Sequence, residues 1–390
     1  MKISIPIEGV DREYRSQLQY ALTFAAEHVR SCGINDDTTL IEVEAEDSAD
    51  AGEITRKIEE LVKRYRKREF GLVRSVDYEN IRDLPCIDAW GQLLERKWVT
   101  QVGEGHVILR GPAAKLMRLI DRRVDRMFAR EFDAELEIYP STIKCETLDR
   151  VNHFTSFPEH VDFVSHLKSD VDVLAAFSNE CKEAAWTPER HEGKMGSVEF
   201  AISPSCCYHC YEGREGWRID DTGCAITATL GCHRYEGANH QSLTRLRAFT
   251  MREVVFVGTP DYVIKCRARA EQLMIEWAKE WELVGSFETA NDMFFTDDYA
   301  VKASFQRQQQ AKKELLLRIP QENRSISVFS SNFHAVTFGK AFDIRVGNRP
   351  ATTGCLGWGY ERWIYAIFSQ FGLDESQWPK ALRNEYLAQA

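Results

Sequence analysis

Two strand-like runs most restrict what this chain can form: AITATLGCHRYE at 225–236 and LRAFTMREVVFVG at 246–258, joined by the polar segment GANHQSLT. That order predicts a β-hairpin with a long loop. Residues two or four apart on a strand share a face, so Arg234 projects with Glu236, and Phe249 with Glu253. A cation, two carboxylates and an aromatic platform can address one ligand together. A cross-strand ion pair would satisfy the same spacing with no function attached.

The N-terminal region reads as a small α/β unit. Ile3, Ile5 and Ile7 alternate, as do Ile41, Val43 and Ala45 with Glu42 and Glu44 outward, which predicts two half-buried strands. Leu18, Leu22, Ala25 and Val29 fall at helical spacing before Gly33, a candidate C-cap, and Ile54, Ile58, Leu61 and Tyr65 make a second stripe. The basic run Lys63, Arg64, Arg66, Lys67, Arg68 reads as a solvated helix end rather than an RNA site.

From His106 the pattern becomes a strand (HVILRG), a helix over 112–132 with Leu116, Ile120, Val124, Met127 and Phe128 on one face, and a strand (ELEIYPS) ended by Pro140. Further helices are expected at 260–282 and, rich in Gln and Lys, at 300–316. A strand AFDIR and a glycine-rich turn then lead into a last helix, TGCLGWGYERWIYAIFSQFG. There Gly354, Gly357 and Gly359 precede Glu361 and Arg362, placing an arginine where a helix N-terminus can meet phosphate. Three glycines between strand and helix also serve tight packing alone.

Composition narrows the function. The chain of 390 residues has room for two or three domains, and 60 acidic against 50 basic residues give a net charge of -10, which advertises no general grip on nucleic acid. The start lacks the pattern of a signal peptide and no apolar run approaches a membrane span, so a soluble cytoplasmic protein is expected. Eleven irregularly spaced cysteines make no disulfide framework; they read as buried thiols with a few metal ligands or reactive groups.

In order, these pieces resemble the signature of class II aminoacyl-tRNA synthetases. The helix and strand before Pro140 look like motif 1, CHRYE through TMREVV like motif 2, and GWGYERW like motif 3. The resemblance spans roughly 105–385. Its texture is similar to the methanogen-type seryl-tRNA synthetases and, more closely, to their truncated relatives, the amino acid:[carrier protein] ligases. LDRVNHFTSFPEHVDFV, CCYHCY, ETANDMFF followed by QRQQQAKKELLLRI, SSNFHAVTFGKAFDIR and TGCLGWGYERW carry it. The implied fold is α+β: a class II synthetase-like antiparallel sheet flanked by helices over 105–390, dimerised through 112–142, behind an N-terminal α/β domain over 1–104.

The resemblance also implies roles. Arg234 would hold the α-phosphate and the attacking carboxylate, Glu236 the adenine or substrate amine region, Phe249 would stack on adenine, and Arg362 would meet the γ-phosphate. Arg245 and Arg247, on or beside the motif 2 loop, are further candidates for the triphosphate. Cys207, Glu253 and Cys355 would bind one zinc ion that holds the substrate α-amino group, two thiolates and a carboxylate leaving a fourth position open. Cys206, His209 and Cys210 crowd beside Cys207, so either neighbouring cysteine is an alternative ligand, and a local knuckle of Cys206, His209 and Cys210 is an alternative site. Asn332 is a candidate substrate contact, while His334 alone would pass for a hydrogen-bonded core histidine. SISVFSS lacks the acidic residue that many class II enzymes offer to Mg2+, Glu322 being the nearest upstream, so Mg2+ is expected on the ATP phosphates.

The implied activity is ATP-dependent activation of glycine, alanine or serine and transfer to the phosphopantetheine thiol of a carrier protein. The net acidic N-terminal region and single basic cluster favour that acceptor over tRNA. A helix over 306–317 resembles the element that such ligases place near the carrier, and Arg307, Lys312 and Lys313 would steer an acidic carrier. A methanogen-type seryl-tRNA synthetase and a non-catalytic paralogue are the alternatives.

Overall fold

The computed structural model describes residues 1–388 except 8, 11, 36–38, 67–74, 221, 236–239, 241 and 291–310. In the N-terminal unit, β1 (Lys2–Pro6), α1 (Arg12–Leu22), β2 (Val29–Asn35), β3 (Leu40–Ala45) and α2 (Ala51–Arg66) build an antiparallel sheet in the order β1-β3-β2 with two helices. Leu18 and Leu22 from α1 and Ile54, Ile58, Val62 and Tyr65 from α2 bury against Ile5, Ile41 and Val43. The first helix does not run on through Val29 to a cap at Gly33. His28 takes a left-handed φ of 65° and turns the chain back, and Val29–Asn35 completes the ladder of β3 with Gly33 opposite Glu42.

The large sheet draws on the rest of the chain. Its strands are β4 (Val76–Asn80), β5 (Glu135–Leu136), β6 (Cys224–His233), β7 (Ala248–Gly258), β8 (Gly285–Thr289), β9 (Lys312–Ile319), β10 (Arg324–Ala335) and β11 (Thr352–Gly359). They lie in the order β4-β8-β9-β10-β11-β7-β6-β5, every pair antiparallel except β5 with β6. Because Val76–Asn80 already belongs here, we propose that the N-terminal unit ends between Arg66 and Val76, ahead of the expected 104.

Pleating separates the two faces of this sheet. Val254, Phe256, Phe329, Leu356 and Trp358 point to one side and pack on α3 (Gly111–Val124), α5 (Pro260–Glu280) and α6 (Tyr360–Phe371). Leu116, Ile120 and Val124 of α3 supply one layer, while Trp277 of α5 stacks on Trp363 of α6 at 4.6 Å. Burying each large apolar side chain of this kind contributes roughly 1.5–3 kcal/mol, so this face holds the structure. The opposite face carries Phe249, Met251, Glu253, Cys355 and Asn332, in register across β7, β11 and β10. The stable side and the chemically equipped side of one sheet are thus distinct.

Of the expected strand ELEIYPS only Glu135–Leu136 pairs, and three further elements differ. Residues 312–317, expected within a helix, form part of strand β9: Leu315, Leu317 and Ile319 are buried in period-two alternation, and β8 and β10 supply its hydrogen-bonding partners. The remainder of that expected helix, with Arg307, lies outside the described residues. AFDIR is not a continuous strand. Ala341 ends a short helix (Thr337–Ala341), Asp343 turns with φ 48°, and only Arg345–Val346 pairs. The glycine-rich segment is no turn but the strand β11. A Cβ on Gly354 would come within 2.8 Å of the Asn332 carbonyl oxygen and 2.9 Å of Val263 Cγ1, so glycine is what lets β11 lie this close to its neighbours.

Candidate active site

The hairpin of β6 and β7 sets up the site. Ala228 opposes Glu253 and Cys232 opposes Phe249, while on the other side Glu253 opposes Gly357 and Val255 opposes Cys355. Glu253 and Cys355 therefore emerge on the same face of adjacent strands, and Gly357 leaves space beside the carboxylate. The third member comes from α4 (Cys207–Glu212), whose first residue is Cys207.

The ligand-type atoms of Cys207, Glu253 and Cys355 all lie within 4.8 Å of one another, and all three residues are buried. Among the described residues they form the only such group of His, Cys, Asp and Glu side chains. Ser205 Oγ donates to Glu253 Oε1 at 3.2 Å and sits 3.2 Å from Cys207 Sγ. Oε2 of Glu253 has no hydrogen-bond partner among the described residues. The hydrogen bond to Cys355, with burial, pushes the Cys207 thiol well up, and burial pushes the Glu253 carboxyl up against the pull of Cys207 and Arg234. Two buried thiols and a buried carboxylate, one carboxylate oxygen left unsatisfied, fit a soft to borderline divalent cation such as zinc.

The alternative knuckle is not assembled. Cys206 Sγ is aimed at the Ala228 carbonyl at 3.7 Å, His209 Nε2 bonds Ser203 Oγ at 2.6 Å, and Cys210 Sγ meets Arg214 at 3.6 Å.

Asn332 stands beside the cluster, its Nδ2 3.1 Å from Ser330 Oγ and 3.5 Å from Cys355 Sγ. His334 Nε2 is 3.8 Å from the same sulfur and its Nδ1 is 3.2 Å from the Tyr211 hydroxyl. Arg234 follows β6 directly. Its Nε donates to the Pro204 carbonyl at 2.9 Å, and its guanidinium lies over the Phe249 ring at 5.4 Å. The strand ends at His233, and Glu236, expected to share a strand face with Arg234, lies outside the described residues.

The remaining cations divide. Arg362, at the start of α6, donates to the carbonyls of Thr244 (2.8 Å) and Ser327 (3.2 Å), which ties it to the end of the hairpin loop. Arg247 is ion-paired with Asp162 and lies over Tyr235. Arg245 lies over the ring of Tyr20, 5.3 Å away in the N-terminal unit. Glu322 is engaged by the Tyr365 hydroxyl at 2.7 Å and by Arg324, and β10 contains no acidic residue.

The contacts of several residues here carry no sequence signal. Ser205 precedes the cysteines as an ordinary serine. Tyr211 reaches His334 only through tertiary packing. Glu361 reads as a helix-opening acid, yet both its carboxylate oxygens accept from the Thr250 N–H at 2.9 Å, which holds β7 next to Phe249.

No protein-family model matches the chain. It is 31% identical over 258 residues to amino acid--[acyl-carrier-protein] ligase 1 of Bradyrhizobium diazoefficiens, covering 65% of this chain and 77% of that protein. Ligase 2 of the same organism is 30% identical over 260 residues, covering 65% and 75%. The type-2 serine--tRNA ligase of Methanococcus aeolicus is 23% identical over 297 residues, which cover 74% of this chain and 57% of that ligase. Among solved structures, M. kandleri SerRS, crystallised with A. aeolicus tRNASec, superposes with a TM-score of 0.73 at 19% identity over 100% of this chain and 77% of the other. The cytoplasmic serine–tRNA ligase of Naegleria fowleri gives 0.62 at 11% identity over 86% and 78%.

The antiparallel sheet with helices on one face is the fold of a class II aminoacyl-tRNA synthetase. The chain belongs to the amino acid–[acyl-carrier-protein] ligase family within that superfamily, and it is a ligase.

Proposed function

We propose that the protein activates a small amino acid, glycine, alanine or serine, with ATP and passes it from the adenylate to the phosphopantetheine thiol of a carrier protein. The observation that carries this reading is the buried Cys207–Glu253–Cys355 cluster, which shares a sheet face with Phe249 and lies close enough to Arg234 for its charge to act on Glu253. A zinc ion bound there would supply a Lewis acid for the substrate α-amino group. Asn332 adds an amide at the rim of the cluster.

Arg234 neutralises the α-phosphate and orients the attacking carboxylate. Phe249, already under a guanidinium, offers its ring to adenine. Arg362 takes the γ-phosphate, with Arg245 and Arg247 as further triphosphate contacts and Glu236 at the adenine or amine end. In-line attack at the α-phosphorus depends mainly on positioning and on neutralising the charge that develops, so arginines matter more than a general base. Mg2+ arrives on the ATP phosphates.

The likeness of about 30% to two carrier-protein ligases supports the thiol acceptor, as does the net charge of -10. Among the described residues no helix is long and apolar enough to cross a membrane, and we place the enzyme in the cytoplasm as a homodimer formed through 112–142. The test offers radiolabelled glycine, alanine or serine with ATP and Mg2+ to a phosphopantetheinylated carrier protein and, in parallel, to total tRNA. Label on the carrier alone supports the proposal. Label on tRNA replaces it with a seryl-type synthetase, and no label with no pyrophosphate exchange replaces it with a non-catalytic paralogue.

A further inference from the structure

Tyr20 is a residue of the N-terminal unit that reaches the catalytic body. It is buried on α1, and its hydroxyl donates to Glu159 Oε1 at 3.0 Å. With that proton committed, the neutral imidazole of His160 can donate from Nε2 to the same hydroxyl at 3.2 Å. The ring of Tyr20 also lies 5.3 Å from the Arg245 guanidinium.

Each partner continues toward the site. The His160 carbonyl accepts from the Tyr235 N–H at 3.3 Å, fixing the chain directly after Arg234. Phe157 stacks on the His160 ring at 5.3 Å, and His153, 6.0 Å away, is hydrogen-bonded through Nδ1 to the hydroxyl of Tyr208, the neighbour of Cys207. Burial, with the charges of Arg234, His153 and Arg245, holds His160 well below the usual histidine range, which keeps it a neutral donor.

We propose that Tyr20 is a positioning residue for the outer phosphates of ATP: its ring sets the direction of Arg245, and its hydroxyl, held by Glu159 and His160, fixes that ring in place. The N-terminal unit is then part of the nucleotide site rather than only a module for an acceptor. The inference rests on the nucleotide site proposed above. It assigns Tyr20 to the triphosphate and not to adenosine, since Arg245 is a triphosphate contact.

The experiment measures ATP and AMP affinity by calorimetry on the full chain and on Tyr20→Ala and Tyr20→Phe. Tyr20→Ala is expected to weaken ATP about fivefold, the order of a cation–π contact with its ordering, and to leave AMP unchanged. Tyr20→Phe keeps the ring beside Arg245 and should recover most of that loss. Equal weakening of ATP and AMP, or none, would overturn the proposal, because a purely structural contact has no means of sensing the outer phosphates. A wild-type protein that binds ATP but catalyses no exchange would sink the proposed reaction while the ATP-to-AMP comparison still decides Tyr20. Absence of ATP binding would overturn both.

Discussion

Asn332 and Cys355 face each other across β10 and β11, with the amide Nδ2 3.5 Å from the thiol sulfur. The amide thus borders the cluster without being one of its three donors, and the two roles are separable. Cys355→Ser is expected to lose stoichiometric metal and amino-acid-dependent pyrophosphate exchange together. Asn332→Ala should keep the metal and raise the amino acid KM about tenfold, the effect of one hydrogen bond to a charged ligand. Elemental analysis and exchange kinetics on the same preparations decide it. Cys207→Ser should follow Cys355→Ser, while Cys206→Ser and Cys210→Ser keep their metal; full metal in Cys207→Ser would reject that ligand.

Arg234 and Arg362 are anchored differently, and this gives their removal different signatures. Among the described residues the Arg234 side chain makes one hydrogen bond, to the Pro204 carbonyl, so Arg234→Ala should cost about 1 kcal/mol of stability and at least about a thousandfold in exchange rate. Arg362 holds two carbonyls from separate segments. Arg362→Ala should therefore lose activity to a similar degree and about 2 kcal/mol of stability, as orphaned acceptors add their own penalty. Denaturant titration beside exchange kinetics separates the two effects; an Arg234→Ala enzyme of near-normal rate would remove Arg234 from the adenylation machinery.

The local pattern made one sheet face readable and left the other contacts hidden. Parity alone places Phe249 with Glu253, and the ladder bears that out, because strand alternation survives any packing. The glycines of β11 read as a turn because the reason for them, the Asn332 carbonyl pressing on Gly354, is a neighbour far away in the chain. Lys312–Ile319 was readable in principle: Leu315, Leu317 and Ile319 alternate, but the polar run before them resembles a helix. The convergence of Cys207 with Glu253 and Cys355 was legible only through family resemblance, since no spacing joins residues on a short helix and two strands. The contacts of Ser205, Tyr20 and His160 gave no signal, as they come wholly from what folds against these residues.

The proposed dimer face has its own test. Leu136 is 68% exposed and Ile138 92%, and both line an open cavity of about 650 Å³ with Arg126, Arg130 and Arg252. That cavity lies beside α3, among residues of 112–142, and not at the thiol cluster. If 112–142 pairs two copies, Ile138→Asp puts a charge into an apolar contact and should shift the mass in light scattering from dimer to monomer. Unchanged mass in Ile138→Asp and Leu136→Asp would place the interface elsewhere.

Glu361 links the pH dependence of stability to the hairpin that carries the site. Its carboxylate is buried at the start of α6, where both oxygens accept from one N–H, that of Thr250. Burial, only partly offset by that hydrogen bond and by Arg362, pushes its pKa up to about 7. A carboxyl with a folded pKa above its unfolded value binds its proton more tightly when folded. The stability it contributes is therefore complete below the unfolded value of about 4.3 and is lost as pH rises through 7. The difference is on the order of 3 kcal/mol across that window. Glu361→Gln, neutral at every pH, should flatten the fall in unfolding free energy between about pH 5 and pH 8 by that order. Urea titrations at four pH values would read it. Parallel slopes in the wild type and the variant would mean that Thr250 and Arg362 keep Glu361 ionised throughout, and that the loss of stability toward neutral pH has another source.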